Sequence, residues 1–184
     1  AAVEYCKNMD YTAIDLVVPD NEMKEDFIGF DLHTENPQAI VLGDMGNLFT
    51  FDLLNSLFKK ILNGAEIVAM HKNKYWHSGN GLALDLGAFV AALEFATEKD
   101  AVVIGKPNPH LFQLAVKPWG LSFQSIYMVG DDIRGDIGGA NNVGMQSILV
   151  KTGKYREESL RRSEITPDFI INSVADLPEL LQLN

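Results

Sequence analysis

Short apolar runs rich in β-branched residues alternate with amphipathic segments along the chain, and this alternation constrains the fold more than any other feature. Several runs are almost continuously apolar, which is typical of strands whose sheet has helices packed on both faces. The pattern therefore predicts an α/β fold. The predicted strands comprise residues 14–18, 39–42, 66–70, 101–104, 125–129, 147–150 and 168–171.

Helix signals lie between the predicted strands. The clearest covers residues 51–63, where Thr50 can cap the first turn, apolar residues recur at helical spacing and Gly64 supplies a stop. Asn108 and Pro109 are typical of an N-cap and a first helical residue. Further helices are predicted at residues 87–97, after Pro109, at 134–142 and at 174–181.

Composition limits the classes of partner. The formal net charge of −10 argues against a general nucleic-acid binder, which needs a basic face to neutralise phosphates. No apolar run approaches the roughly 20 residues that span a bilayer, so no membrane segment is expected. The single cysteine, Cys6, rules out an intrachain disulfide and favours a reducing, cytoplasmic location. Residues 156–162 carry charges of both signs, which is typical of a solvated helix face.

Three aspartates follow the predicted strand 125–129 at its carboxyl end, where ligands bind in open α/β sheets. Asp131 and Asp132 come directly after Gly130, and Asp136 lies in the first turn of the next predicted helix. Carboxylates gathered this closely repel one another unless a hard cation neutralises them, and Mg²⁺ with its oxygen ligands fits such a cluster. In the alternative interpretation, Asp132 and Asp136 are only helix-start carboxylates favoured by the macrodipole.

Lys106 lies one strand–helix unit before the aspartates, in a loop between Gly105 and Pro107 just ahead of a predicted helix. An ammonium group at a strand end can stabilise a phosphoryl group and the carboxylate that attacks it. A solvated loop lysine is the alternative interpretation. The position of Lys106 relative to the aspartates favours the phosphate-binding role.

These two segments resemble motifs III and IV of the haloacid dehalogenase-like hydrolase superfamily. The resemblance lies in Gly105-Lys106-Pro107 and in residues 129–136, Val-Gly-Asp-Asp-Ile-Arg-Gly-Asp. Within that superfamily, the chain resembles the members that have a large α/β cap. The resemblance extends over nearly the whole chain. Further matching segments are residues 63–69, the glycine-rich residues 79–87 and residues 149–154.

The resemblance implies an α/β cap domain in residues 1–100 and the C-terminal half of a Rossmann-like core in residues 101–184. It implies an enzyme, a phosphatase that uses Mg²⁺ and acts on a small phosphorylated substrate through an aspartyl-phosphate intermediate. Lys106 would hold the phosphate and the nucleophile, Asp131 would be a direct magnesium ligand, and Asp136 and Asp132 would support the metal and its waters. Family analogy also suggests a homodimer formed through the cap.

The sequence departs from the family pattern in one respect. In that family an Asp-x-Asp-like motif I with the nucleophile and a Thr/Ser motif II both precede the cap, and neither is found in these 184 residues. The nearest candidate, Asp31-Leu-His-Thr34, lies inside the part that matches the cap. We therefore expect this chain to be catalytically inactive by itself. We also expect poor solubility, because the strand before Gly130 would lack its neighbours and leave an open edge.

Substrate choice would be made by residues 70–78, which match the position of the specificity loop of the family. Lys72, Trp76 and His77 offer cationic and aromatic groups that could meet a phosphorylated small molecule. An ordinary surface loop with solvated lysines and a half-packed Trp76 is the alternative interpretation. A zinc site at His71 and His77 is disfavoured because no cysteine or paired carboxylate lies nearby in sequence.

Two other classes of function compete with the hydrolase fragment. One is a natural short form that keeps the cap and half of the core for binding or dimerisation, without catalysis. The other is a phospho-receiver domain, which is disfavoured because its acid pair and phospho-acceptor lie on different strands, whereas Asp131 and Asp132 are adjacent. An upstream extension of about 70–80 residues, a strand–helix–strand–helix unit of ordinary lengths, would favour the hydrolase. An initiator Met directly before Ala1 would favour the short form.

Overall fold

The computed structural model describes residues 1–182, apart from the side chain of His77. The chain divides into two compact units, Ala1–Gly105 and Lys106–Asn184. The sequence predicted a domain boundary at residue 100. The assignment of the first unit as a cap and of the second as part of a core stays a prediction.

The first unit is built on a parallel sheet with helices on both sides. Its six strands are β1 (Ile14–Val17), β2 (Ala39–Leu42), β3 (Glu66–Ala69), β4 (Tyr75–Ser78), β5 (Gly81–Leu84) and β6 (Val102–Val103). Its four α-helices are α1 (Ala2–Asn8), α2 (Glu22–Glu25), α3 (Phe51–Leu62) and α4 (Leu86–Thr97), and a 3₁₀ turn occupies Gly46–Leu48. The four parallel strands lie in the order β1-β2-β3-β6.

Both faces of this sheet are buried, as the continuous apolar runs predicted. On β2, Ile40 and Leu42 pack on one face, where α3 and α4 contribute Leu57, Ile61 and Leu93. Successive side chains of a strand point to opposite faces, so the alternate β2 residues join a second core with Cys6 of α1. All four residues of β2 are fully buried. The unit therefore has three layers, with the sheet packed between helices, and neither face of the sheet is open to solvent.

The helix caps follow the sequence signals. The Thr50 side chain accepts a hydrogen bond from the Leu53 amide at the start of α3, as predicted. Asp85, which the sequence did not single out, caps α4 by accepting from the Leu86 amide. Each cap satisfies a backbone donor that has no partner within its helix.

Residues 75–84 differ from the prediction. A loop was expected at residues 70–78, but β4 and β5 form an antiparallel hairpin with Tyr75 opposite Leu84 and Trp76 opposite Ala83. Several of its apolar side chains are exposed, Leu82 and Leu84 by more than 60%. The expected alternation of buried apolar and exposed polar residues is therefore absent, and the periodicity did not reveal the strands.

Helix α1 is joined to the sheet by a shared carboxylate. The Tyr5 and Tyr11 hydroxyls both donate to Glu66 Oε2 of β3, at 3.0 and 2.6 Å. Burial, and then the Glu66 hydrogen bond and charge, raise the pKa of Tyr5 to about 12 and raise the pKa of Tyr11 further. Burial also raises the pKa of the Cys6 thiol to about 11, so Cys6 is a protonated, packed side chain at neutral pH.

The second unit contains a smaller parallel sheet. Its strands are β7 (Tyr127–Gly130), β8 (Gln146–Val150) and β9 (Phe169–Ile171), in the order β7-β8-β9. Its α-helices are α5 (Pro109–Val116), α6 (Gly139–Val143), α7 (Glu157–Arg161) and α8 (Leu177–Leu180). A π-helix occupies Ile133–Gly138, and 3₁₀ turns occupy Lys117–Trp119, Phe123–Ser125 and Val174–Asp176.

Strand β7 lies at an edge of this sheet. It pairs with β8 over four residues, and among the described residues no strand pairs with its other side. Burial reflects this position, because β8 is buried from Ser147 to Val150 whereas β7 has no buried residue. The predicted helix at residues 134–142 is present as the π-helix followed by α6.

No helix in the described part of the chain is both long enough and apolar enough to cross a bilayer.

Candidate functional site at the carboxyl end of β7

The aspartates follow β7 through a turn that requires glycine. A Cβ at Gly130 would overlap the carboxylate of Asp136. The missing side chain lets Asp136 lie directly over the end of the strand, where the Asp131 and Asp132 amides donate to its Oδ2 at 3.2 and 3.1 Å. The sequence thus places a carboxylate against two backbone donors.

Asp136 is the buried anchor of the site. It is 4% exposed and sits inside the π-helix. Its Oδ1 accepts a hydrogen bond from Lys106 Nζ at 2.6 Å, so both carboxylate oxygens have partners. A buried carboxylate is tolerable only when it is paired and hydrogen-bonded in this way.

Lys106 reaches Asp136 from the loop that precedes α5. The Lys106–Pro107 peptide bond is cis, and the Asn108 side chain caps α5 by accepting from the His110 amide. The Lys106 side chain is 47% exposed, in contrast to the 5% of its partner. An ammonium group that is half-exposed beside a buried acid has donors left for a further anion.

Asp132 has a structural task. Its Oδ1 accepts from the amides of Arg134 and Gly135, both at 3.0 Å, and caps the π-helix. Its other oxygen lies 3.8 Å from Lys154 Nζ. The alternative interpretation of Asp132 as a helix-start carboxylate is thus consistent with its contacts.

Asp131 is fixed through one of its two carboxylate oxygens. Its Oδ2 accepts from the Lys154 amide at 2.6 Å, and a Cβ at Gly153 would overlap that same oxygen. The described contacts give Oδ1 of Asp131 no hydrogen-bond partner. Among the three aspartates, Asp131 therefore has a carboxylate oxygen that can act as a ligand without breaking a bond.

The donor set fits a magnesium ion in part. No group of three or more His, Cys, Asp or Glu side chains in the described residues is arranged to hold a metal. Mg²⁺, however, keeps several waters and takes only one or two protein carboxylates together with substrate phosphate oxygens. The free oxygen of Asp131 suits that mode, whereas Asp136 is fully hydrogen-bonded and suits an orienting role.

Apart from Lys106, the predicted substrate-binding residues lie in the first unit. Lys72 Nζ forms an ion pair with Glu94 at 2.6 Å, and Trp76 is 44% exposed on β4. The side chain of His77 lies outside the described residues. His71, in the same segment, has a buried Nδ1 that finds no hydrogen-bond partner among the described residues and lies 3.7 Å from Asp85 Oδ1.

Lys154 is the site residue that sequence reasoning missed. It lies in a segment quoted for the resemblance, but its contacts with Asp131 and Asp132 were not foreseen. The only hint in the sequence was the glycine at position 153. In the structure Gly153 has a φ of +53° and brings the backbone of this segment close to Asp131.

Comparisons with known proteins show what the chain is similar to. Residues 103–177 match the family described as HAD-hydrolase-like. Haloacid dehalogenase-like hydrolase domain-containing protein 2 from Homo sapiens is 43% identical over 141 residues, 77% of this chain and 54% of that protein. This chain is related to the haloacid dehalogenase-like hydrolases.

A second relative is the phospholysine phosphohistidine inorganic pyrophosphate phosphatase of Xenopus laevis. It is 35% identical over 148 residues, 79% of this chain and 55% of that protein. The chain thus spans about half the length of these relatives.

The fold agrees as well. A crystal structure of a 4-nitrophenylphosphatase from Thermotoga maritima matches 97% of this chain and 69% of its own, with a TM-score of 0.85 and 29% identity. The predicted haloacid dehalogenase-like relationship and the α/β fold class are confirmed.

Proposed function

We propose that this chain forms part of a magnesium-dependent phosphatase that hydrolyses a small phosphorylated substrate, such as a phosphomonoester. The observation that carries the proposal is the Lys106–Asp136 ion pair at the end of β7, beside the free oxygen of Asp131. The phosphatase names of the relatives support the same class of reaction.

Each residue has a distinct task in this proposal. Lys106 is held by Asp136 and uses its remaining N–H donors to bind the phosphoryl oxygens, which lowers the energy of the charge that develops on them. Asp131 offers Oδ1 to the magnesium ion, which supplies charge neutralisation for the phosphoryl group when bound. Asp136 and Asp132 orient the amine and the chain around the metal.

The nucleophile comes from outside these 184 residues. A carboxylate of the intact protein would attack phosphorus and release the substrate alcohol, and water would then hydrolyse the aspartyl-phosphate. In this scheme residues 1–100 serve as the cap, where Lys72, Trp76 and His77 contact the substrate. A cytoplasmic location and a homodimer formed through the cap complete the proposal.

A binding or dimerisation module without catalysis is the second candidate. The absence of motifs I and II from these residues favours it.

A phosphatase assay separates the two candidates. The purified 184-residue chain, with magnesium and 4-nitrophenyl phosphate, should show no turnover above background. A longer protein that includes motifs I and II should be active, and Lys106→Ala in it should remove most of that activity, about 100-fold or more, because one preorganised charge donor is lost. Lys117→Ala, another lysine of the second unit, is the matched control.

Two results would contradict the proposal. Turnover by the 184-residue chain that depends on Lys106 would mean that the nucleophile is present after all. An inactive longer protein that still forms a stable assembly would favour the binding module.

A further inference from the structure

The second unit contains a cavity that the proposed reaction does not use. It has a volume of about 500 Å³ and is lined by Pro107, Arg134, Gly138, Asn142, Arg162, Ser163, Glu164 and Ile165. It is an open depression of the surface, with a volume comparable to that of small-molecule sites, roughly 300–1,000 Å³. Lys106 and the three site aspartates are not among the lining residues. We call it the two-arginine cavity.

The charge of the two-arginine cavity is opposite to that of the chain. Arg134 and Arg162 face it together with one acid, Glu164, whereas the whole chain carries a formal net charge of −10. The two arginines come from different elements, the π-helix and the end of α7. Guanidinium groups that line one depression from separate elements suit an anion with several oxygens, because each offers a planar pair of donors.

Neither arginine is strongly engaged elsewhere. Arg134 forms no ion pair with the described residues. Arg162 lies 3.5 Å from Glu158 Oε1, with both side chains about 80% exposed. An ion pair this exposed is screened by water and contributes little to stability. Both guanidinium groups can therefore turn to a bound anion at small cost.

The floor of the cavity is apolar and shaped by a glycine. A Cβ at Gly138 would lie 2.8 Å from Ile165 Cδ1, so a larger residue would displace Ile165. Ile165 packs on the buried Ile133 and Ile137, and these contacts hold its side chain in place. An organic anion could place its charged group between the arginines and its apolar part on Ile165.

We propose that the two-arginine cavity binds the phosphate group of a small organic phosphate, at a site separate from Lys106. Pro107 lines the cavity and follows Lys106, and Arg134 lies two residues after Asp132. An occupant would thus contact both segments that carry the candidate catalytic residues. This inference needs no catalysis and does not depend on the proposed function.

Hydrogen–deuterium exchange tests the proposal at low protein concentration. The 184-residue chain is titrated with inorganic phosphate and then with phenyl phosphate, at constant ionic strength and with chloride as the reference anion. Peptides that contain Arg134 and residues 162–165 should exchange more slowly as either ligand is added. Phenyl phosphate should act at lower concentration because its ring covers Ile165.

Variants assign the protection to the cavity. Arg134→Gln and Arg162→Gln should each weaken binding about tenfold, the loss expected for one charge-assisted contact. Arg134→Lys keeps the charge but not the paired donors and should weaken binding less. Arg161→Gln on the same helix, whose partner is Glu157, is the matched control and should bind normally. Unchanged exchange in β8 would show that each variant is folded.

Lys106→Ala separates the two sites. Protection that survives this change but is lost in the arginine variants supports the second site. Protection that is lost in Lys106→Ala and kept in Arg134→Gln would overturn the inference and leave the proposed function standing. The inference is also wrong if no protection is seen, or if an acidic peptide protects these segments and phosphate does not.

Discussion

At the residue scale, the site depends on an unequal pair. Asp136 is almost fully buried and accepts three hydrogen bonds, from Lys106 and from two backbone amides. The Lys106 side chain is half-exposed, so water can also accept hydrogen bonds from its ammonium group. The acid is thus a fixed structural element of the turn, and the amine is the member of the pair that is available to a ligand.

This inequality predicts different costs for the two residues. Asp136→Ala should lower the free energy of unfolding by roughly 2–4 kcal/mol, because it leaves two partly buried backbone amides and the Lys106 amine without their partner. Lys106→Ala should cost less, about 1–2 kcal/mol, because Asp136 keeps its two backbone hydrogen bonds and water can enter the space that the half-exposed lysine leaves. Urea denaturation followed by circular dichroism measures both changes. Equal costs would show that the lysine is as important to folding as the acid.

At the scale of elements, the packing of α1 on the sheet depends on protonated groups. Tyr5 and Tyr11 donate to one oxygen of Glu66, and a phenolate next to that carboxylate would be repelled. The ordinary pKa of a tyrosine is 10.0, and that of Tyr5 is raised to about 12 in the folded chain. The folded state therefore holds these protons more tightly than the unfolded state does.

A loss of stability at high pH follows from this difference. Where the folded state binds more protons than the unfolded state, the free energy of unfolding falls as pH rises. The contribution of Tyr5 is fully present below pH 10.0 and is lost as pH rises through about 12. Urea denaturation between these limits should show the decline. The double variant Tyr5→Phe, Tyr11→Phe should flatten it, and an unchanged slope would contradict the assignment.

At the scale of the whole molecule, the main structural weakness of the chain is the unpaired edge of strand β7. Strand β8 is covered on both sides by neighbours, whereas among the described residues β7 has a partner on one side only. An unpaired edge presents backbone donors and acceptors to other chains. The relatives are nearly twice as long as the segment they share with this chain.

We therefore expect the part of a relative that lies outside the match to complement this chain. Alone, the 184-residue chain should self-associate, as sedimentation velocity can show. Mixed with the unmatched part of such a relative, it should form a soluble one-to-one complex with magnesium-dependent phosphatase activity. Lys106→Ala should leave the complex intact and remove the activity. A monodisperse, soluble monomer without the segment would contradict the expectation.

The elements of the fold could be predicted to within a few residues where a local rule applies. Continuous apolar runs predicted the strands of both sheets, and Thr50 and Asn108 marked helix starts that the structure confirms. The hairpin β4–β5 was missed because its apolar residues are exposed, so burial imposed no alternation on the sequence. The π-helical start of the helix after Asp132 also has no local signal.

The sequence by itself determined the chemistry at the end of β7, because strand ends and glycine turns are local features that place Asp131 and Asp136 next to each other. Only the tertiary structure decided how the carboxylates divide their tasks, since Lys106 and Lys154 reach Asp136 and Asp131 from segments 30 and 23 residues away in the chain. Contacts between distant segments depend on how layers pack and not on local propensity. The two-arginine cavity, which Arg134 and Arg162 line from different elements, is a product of that packing alone.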